Sequence, residues 1–179
     1  DTANPLVEDA EGFADGQHYT IIALPRDETG READLRFVRD NITAPSSGKA
    51  RVRVIHAAAG IGEVDVYARG NNNALFDGVN FPSESSYNEI DPMTGVLEVR
   101  REGQTAAALT IPNARFEAGK IYTVIVMGRA TGTPRLEAVI VEDQIGAGGM
   151  SGNMNGNTNM NRNMNANIRN GNMNRNMNR

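Results

Sequence analysis

The chain has 179 residues, room for one ordinary domain and extra material at about 100–200 residues per domain. Its net charge of −4 is unevenly spread: up to Asp143 there are 14 Lys and Arg against 22 Asp and Glu, a balance of −8, whereas Arg162, Arg169, Arg175 and Arg179 make the remainder +4. An acidic body lacks the basic surface that nucleic acid requires, zero cysteines exclude a disulfide framework, a thiolate metal site and a Cys nucleophile, and no run approaches the roughly 20 apolar residues of a membrane helix.

In chain order, strand-like runs fall near 18–24 and 34–39, followed by a turn-rich linker, Asn41-Ile-Thr-Ala-Pro-Ser-Ser-Gly-Lys49. RVRVIHA (51–57), EVDVYA (63–68) and VLEVRR (96–101) alternate polar and apolar residues, which predicts half-buried strands. AALTI (107–111), IYTVIVM (121–127) and LEAVIVED (136–143) are β-branched runs bounded by Gly, Pro or Asn. Turn chemistry separates them at Gly60/Gly62, Arg69-Gly-Asn-Asn-Asn73, Asp91-Pro-Met-Thr-Gly95, Glu102-Gly103 and Gly128 to Pro134. No segment sustains helical periodicity. Seven or so short strands at this spacing predict an all-β fold, an immunoglobulin-like Greek-key β-sandwich.

The chain also repeats itself. FADGQHYTIIALPRDETGREADLRFVRD (13–40) aligns without gaps on FEAGKIYTVIVMGRATGTPRLEAVIVED (116–143) at an offset of 103, with eight of 28 positions identical. The identities are Phe13/Phe116, Gly16/Gly119, Tyr19/Tyr122, Thr20/Thr123, Ile22/Ile125, Arg26/Arg129, Val38/Val141 and Asp40/Asp143. The expected organisation is the C-terminal part of a first module (1–40), a linker (41–49), a complete module (50–143) and a Gly then Asn/Met-rich tail (144–179).

The complete copy resembles a known family. The R-V-x-H-A opening at Arg53 to Ala57, V-D-V-Y at Val64 to Tyr67, G-K-x-Y-T-V at Gly119 to Val124 and the closing Glu142-Asp143 are similar to domain of unknown function (DUF) family 4397. The resemblance covers 50–143, with 13–40 as a truncated preceding copy. It implies an exported, often tandem, immunoglobulin-like cell-surface module and supplies no catalytic residues. Where the family carries a proline after His-Ala, this chain reads Ala57-Ala-Ala-Gly60. The start at Asp1 instead of Met fits an exported polypeptide relieved of a signal segment, or a trimmed chain.

Residues that carry chemistry are sparse. His18 and His56, the only histidines, sit in or beside strands and lack the convergent partners of a metal site or triad; each is expected to satisfy a neighbouring backbone group. No cofactor or bound metal is expected; calcium is the one ion for which candidate ligands exist, Asp65 with Asn71 to Asn73, or Asp91 before Thr94. Gly60-Ile-Gly62 opens like a dinucleotide fingerprint but lacks the third glycine and leads into a strand. Ser83-Glu-Ser-Ser86 has no nucleophile elbow and reads as a polar loop. Asn41-Ile42-Thr43 is an N-glycosylation sequon in the linker. The matched aromatics Phe13/Phe116 and Tyr19/Tyr122 read as core anchors. A non-enzymatic protein is expected.

The tail alternates. Every odd position from Asn153 to Asn167 is Asn, and after Ile168-Arg169 the even positions from Asn170 to Asn178 are. Period two would place Asn on one face of a strand and Met154, Met160, Met164 and Ile168, then Met173 and Met177, on the other, with Arg162, Arg169 and Arg175 carrying the charge. Asn-rich, low-complexity sequence is otherwise a signature of disorder or aggregation. A positive, strand-patterned tail and a module lacking its front lead to one expectation: a secreted, filament-forming structural protein of the cell surface or extracellular matrix, self-assembling by strand complementation between subunits. The alternative is a monomeric surface module that binds glycan or another protein, with the tail as a tether.

Overall fold

A computed structural model describes residues 12–25 and 33–143, and each run picked out for alternation or β-branching is a strand in it. The strands are β1 (His18–Pro25), β2 (Ala33–Asp40), β3 (Ala50–Ala59), β4 (Val64–Ala68), β5 (Phe76–Val79), β6 (Ser83–Glu84), β7 (Asn88–Ile90), β8 (Met93–Arg101), β9 (Ala107–Phe116), β10 (Ile121–Arg129) and β11 (Glu137–Asp143). There is no helix among the described residues. The short β5, β6 and β7 were not legible in the sequence, because two to four residues are too few to show a period. Three turn or loop assignments need correction, the first because Gly128 and Arg129 still belong to β10. Ser83 and Glu84 pair with β3, and Met93 to Gly95 already belong to β8. β9 runs on through Pro112 and Asn113 to Phe116. It tolerates both because it is an edge strand and because a register shift opposite Gly95/Leu97 absorbs Asn113, whose φ is 57°.

Two sheets make a sandwich. One is ordered β11-β10-β3, with β6 and β7 on the far edge of β3; the other is β5-β4-β8-β9. β3 and β10 run parallel, from Arg51↔Ile121 to Ala59↔Arg129, so the module's opening strand lies beside its penultimate one. Between the sheets, Val52 and Val54 with Tyr122, Val124 and Val126 pack on Val64, Val66, Leu97, Val99 and Phe116, all at most 5% exposed. β10 reads as a continuous apolar run since both its faces are covered: Ile121 and Thr123, on the face away from this core, are 0% and 1% exposed.

The cover on that outer face is the hairpin β1–β2, an antiparallel ladder from His18↔Asp40 to Pro25↔Ala33. It reproduces the β10–β11 ladder, Ile121↔Asp143 to Met127↔Glu137, at the same offset of 103. The linker is held down: Arg51 Nη1 donates to Thr43 O (2.8 Å), Ser46 N–H donates to Glu89 Oε1 (2.8 Å), and Lys49 pairs with Asp91 (2.8 Å).

Candidate functional site

Matched positions in the two copies make matched contacts. The Phe13 and Tyr19 rings meet edge-on at 5.1 Å and 72°, as do Phe116 and Tyr122. Each tyrosine hydroxyl accepts an N–H five residues upstream, Ala14 at 3.3 Å and Glu117 at 3.2 Å. Gly16 and Gly119 both take the left-handed conformation, with φ of 69° and 80°. Thr20 Oγ1 donates to Asp40 Oδ1 (2.9 Å), and Thr123 Oγ1 donates to Asp143 Oδ2 (2.8 Å). Five of the eight identities are thereby accounted for within each copy.

The two Thr–Asp pairs converge on one cation. Alternation in RVRVIHA places Arg53 on the outer face of β3, where solvent would be expected, yet it is 1% exposed because the hairpin lies over it. Its Nε donates to Thr123 Oγ1 (3.0 Å), Nη2 to Thr20 Oγ1 (3.1 Å) and Nη1 to the Arg39 carbonyl (3.2 Å), and Nη2 is ion-paired with Asp40. The guanidinium also lies 4.8 Å from the centre of the Tyr87 ring, which Arg51 covers at 4.7 Å. Burial pushes the Tyr87 phenol up to about 12, against the pull of Arg53. Burial likewise holds the Asp143 carboxyl above its ordinary range, although Thr123 and Arg53 favour its charge. Arg53 thus joins the copies through residues duplicated in both, a role that strand periodicity does not reveal; the repeated Thr and Asp were the signal.

On the hairpin's other face two core positions are open. Phe13 is 56% exposed where Phe116 is 2%, and Ile21 is 52% exposed where Val124 is 0%. The second sheet, which carries Phe116 on β9 and covers Val124, has no counterpart over the hairpin among the described residues, where β1 pairs only with β2. The expectation that the matched aromatics are core anchors therefore holds for Phe116 and Tyr122 but not for Phe13.

Met154, Met160, Met164, Ile168, Met173, Met177, Arg162, Arg169 and Arg175 all lie outside the described residues. Asn41 is exposed in the linker, and its Oδ1 accepts the Thr43 N–H (3.1 Å) in an Asx turn. His56 is fully buried, with Nε2 2.8 Å from the Gly62 carbonyl and Nδ1 accepting the Ala58 N–H (3.2 Å); burial depresses its pKa. Those contacts place the proton on Nε2 and fix a neutral tautomer. Gly60 and Gly62 adopt left-handed turns around the buried Ile61. Asp65 Oδ1 accepts the Gly78 N–H (2.9 Å) at a bulge against β5, and Asp91 is paired with Lys49, so both candidate carboxylate ligands have a protein partner. Among the described residues no group of three or more His, Cys, Asp or Glu could hold a metal ion, and no helix could cross a membrane.

These features define an all-β protein with two copies of one module, the first partial, joined through a buried Arg–Thr–Asp cluster. The chain belongs to the DUF4397 family of domains of unknown function, whose model matches residues 1–67 and 62–149. Among solved structures, the C-terminal domain of AlgF from P. aeruginosa is similar at 18% identity and a TM-score of 0.42, over 54% of this chain and 99% of that one. No curated protein matches.

Proposed function

We propose that this is an exported, non-enzymatic structural protein of the cell surface or extracellular matrix that self-assembles by β-strand complementation between subunits. One observation carries the reading: a hairpin built like β10–β11 leaves Ile21, and Phe13 just ahead of it, open to solvent, where their equivalents Val124 and Phe116 are buried between two sheets. An open strand edge beside an uncovered apolar face is what strand addition uses, with main-chain hydrogen bonds giving affinity and alternate side chains giving specificity. The donor is the Asn/Met tail, whose charge of +4 complements a body of −8. A head-to-tail contact of this kind that does not close produces a filament. Electron microscopy and sedimentation of the intact chain test this: filaments or large oligomers are expected, and they are expected to vanish on deleting 150–179. Assemblies of unchanged repeat without the tail would refute its role, and a monomer at high concentration would refute the whole reading.

The second reading, a monomeric surface module for a glycan or protein ligand, draws on a groove of about 830 Å³ between the β8–β9 and β10–β11 turns. Arg101, Arg129 and Arg135 line it against one carboxylate, Glu102, a cationic recess in an acidic body.

A further inference from the structure

We propose that the free edge of β1 is a slot for one further strand, parallel to β1 and reading Arg-apolar-Arg-apolar as β3 does. This rests on the acceptor half of the assembly reading above and not on the tail as donor. In the complete copy β10 has β11 on one edge and β3, in parallel, on the other. In the partial copy β1 has β2 in the place of β11 and, among the described residues, nothing in the place of β3.

The outer face shows where the extra strand would lie. β2 sits on the β3–β6 side, since Asp40 pairs with Arg53 and Arg36 with Glu84. β1 lies nearer β10, over the β3–β10 pair, where Ile21 to Ala23 share an apolar cleft of about 360 Å³ with Ala57 and Ala59 of β3 and Ile125 and Met127 of β10. A strand added beyond β1 therefore runs over β11. There Val139 and Val141 stand 44% and 41% exposed, although Val38, the repeat counterpart of Val141, is 2% exposed under the same packing. Apolar side chains on both strands flanking a vacant track are an unfinished interface.

Charge selects what fills it. Asp40 has Arg53, whereas Asp143, its counterpart, is half-buried with hydrogen bonds from Thr123 and Tyr87 and no ion pair among the described residues. Arg53 sits beside Thr123 in the ladder and reaches across to Thr20 and Asp40. An arginine at the same register beside Thr20 would reach across to Thr123 and Asp143. The opposite face of that strand must be apolar, like Val52 and Val54, to extend the face of Tyr19 and Ile21. NMNRNMN offers Met160, Arg162 and Met164 on one side but only asparagine on the other, and asparagine adds no apolar cover, so the tail donor of the assembly reading is left the hairpin's other edge, along β2. A β3-type strand meets both demands.

The probe is a fluorescein-labelled peptide of sequence ARVRVIHA, identical to residues 50–57, added to the intact chain and followed by fluorescence anisotropy. Saturable binding is expected. It should weaken about tenfold when the peptide's second arginine becomes glutamine, and as much in an Asp143→Asn chain. The two losses together should not add, because they remove one contact. Asp143→Asn is a safe variant, since burial already disfavours the charge, and its melting temperature confirms folding. Methylating the peptide nitrogens that pair with β1 should abolish binding, and a spin label on the peptide N-terminus should broaden the amides at the His18 end. Absence of saturable binding, indifference to Asp143→Asn or indifference to N-methylation would each overturn the slot. A tail peptide, residues 158–166, that binds in preference to ARVRVIHA would overturn the β3-type occupant. Sedimentation of the intact chain reports separately on assembly, so a monomer that still captures ARVRVIHA would remove the assembly reading and leave the slot standing.

Discussion

Replacing Arg53 by Met tests whether the buried cation holds the two copies together. Methionine keeps most of the aliphatic volume, so little cavity is created, while three donated hydrogen bonds and the ion pair to Asp40 disappear. Breaking a buried pair by removing one partner costs about 3–5 kcal/mol, because the other charge is left uncompensated. That range should appear in urea unfolding at pH 7. The dependence on pH discriminates further. A carboxyl held above its unfolded value, as Asp143 is, contributes stability that is fully present below about 3.8 and is lost as pH rises through the folded pKa. Arg53 opposes that rise, so its removal enlarges the penalty at neutral pH. The deficit of Arg53→Met should therefore shrink between pH 7 and pH 4.5. Hydrogen exchange adds a spatial readout: amides of β1 and β2 should lose more protection than those of β4 and β8, which lie in the opposite sheet. A variant within about 0.5 kcal/mol of the parent at pH 7, or a deficit that grows toward acid, would refute this role for Arg53.

Three further outcomes are expected. A Cβ at Gly128 would stand 2.1 Å from the Arg135 carbonyl oxygen at φ 93°, whereas one at Gly132, φ 90°, meets open space; Gly128→Ala should cost about 3 kcal/mol or more and Gly132→Ala about 1, compared by thermal melting. Ile21→Ala should cost less than about 1 kcal/mol and Val124→Ala about 2, since only the second removes fully buried methyl groups; equal costs in urea unfolding would mean that the hairpin face is covered in the monomer. His56 is held neutral with a depressed pKa, so its contribution is present above about 6.5 and lost as pH falls through the folded value; the deficit of His56→Gln, about 1–2 kcal/mol at pH 7.5, should narrow in urea titrations at acid pH.

Much of this architecture is written in side-chain periods. Alternation in RVRVIHA and VLEVRR located β3 and β8 within a few residues, because one face of each meets a core that admits only apolar groups. The offset of 103 gave the hairpin and the copy it imitates. Two things escaped. β5 to β7 are too short to alternate visibly, and β6 and β7 are placed by pairing to β3 instead of by their own residues. The burial of Arg53 escaped for a deeper reason: alternation tells which face a residue takes, not what covers that face. Only the long-range docking of β1–β2 turns an outward arginine into a buried one.

That docking gives the repeated polar residues a meaning beyond each copy. A Thr–Asp hydrogen bond at the end of a hairpin is a small local gain, and other polar pairs would serve as well. A buried guanidinium is more demanding, since each of its N–H groups must find an acceptor and its charge a carboxylate. Arg53 finds hydroxyl acceptors on Thr20 and Thr123, one from each copy, and its carboxylate on Asp40. Keeping the same residues in both copies thus fits a junction in which equivalent outer faces are stacked on one another. One cation then satisfies Asp40 while, among the described residues, Asp143 keeps only neutral hydrogen-bond donors. A cluster with two carboxylates, two threonines and a single arginine is half-complete by its own repeat logic, and the exposed Val139 and Val141 beside it mark the same vacancy in apolar terms. Charge and packing, read independently, thus support the same proposal, a track along β1 that takes one further strand.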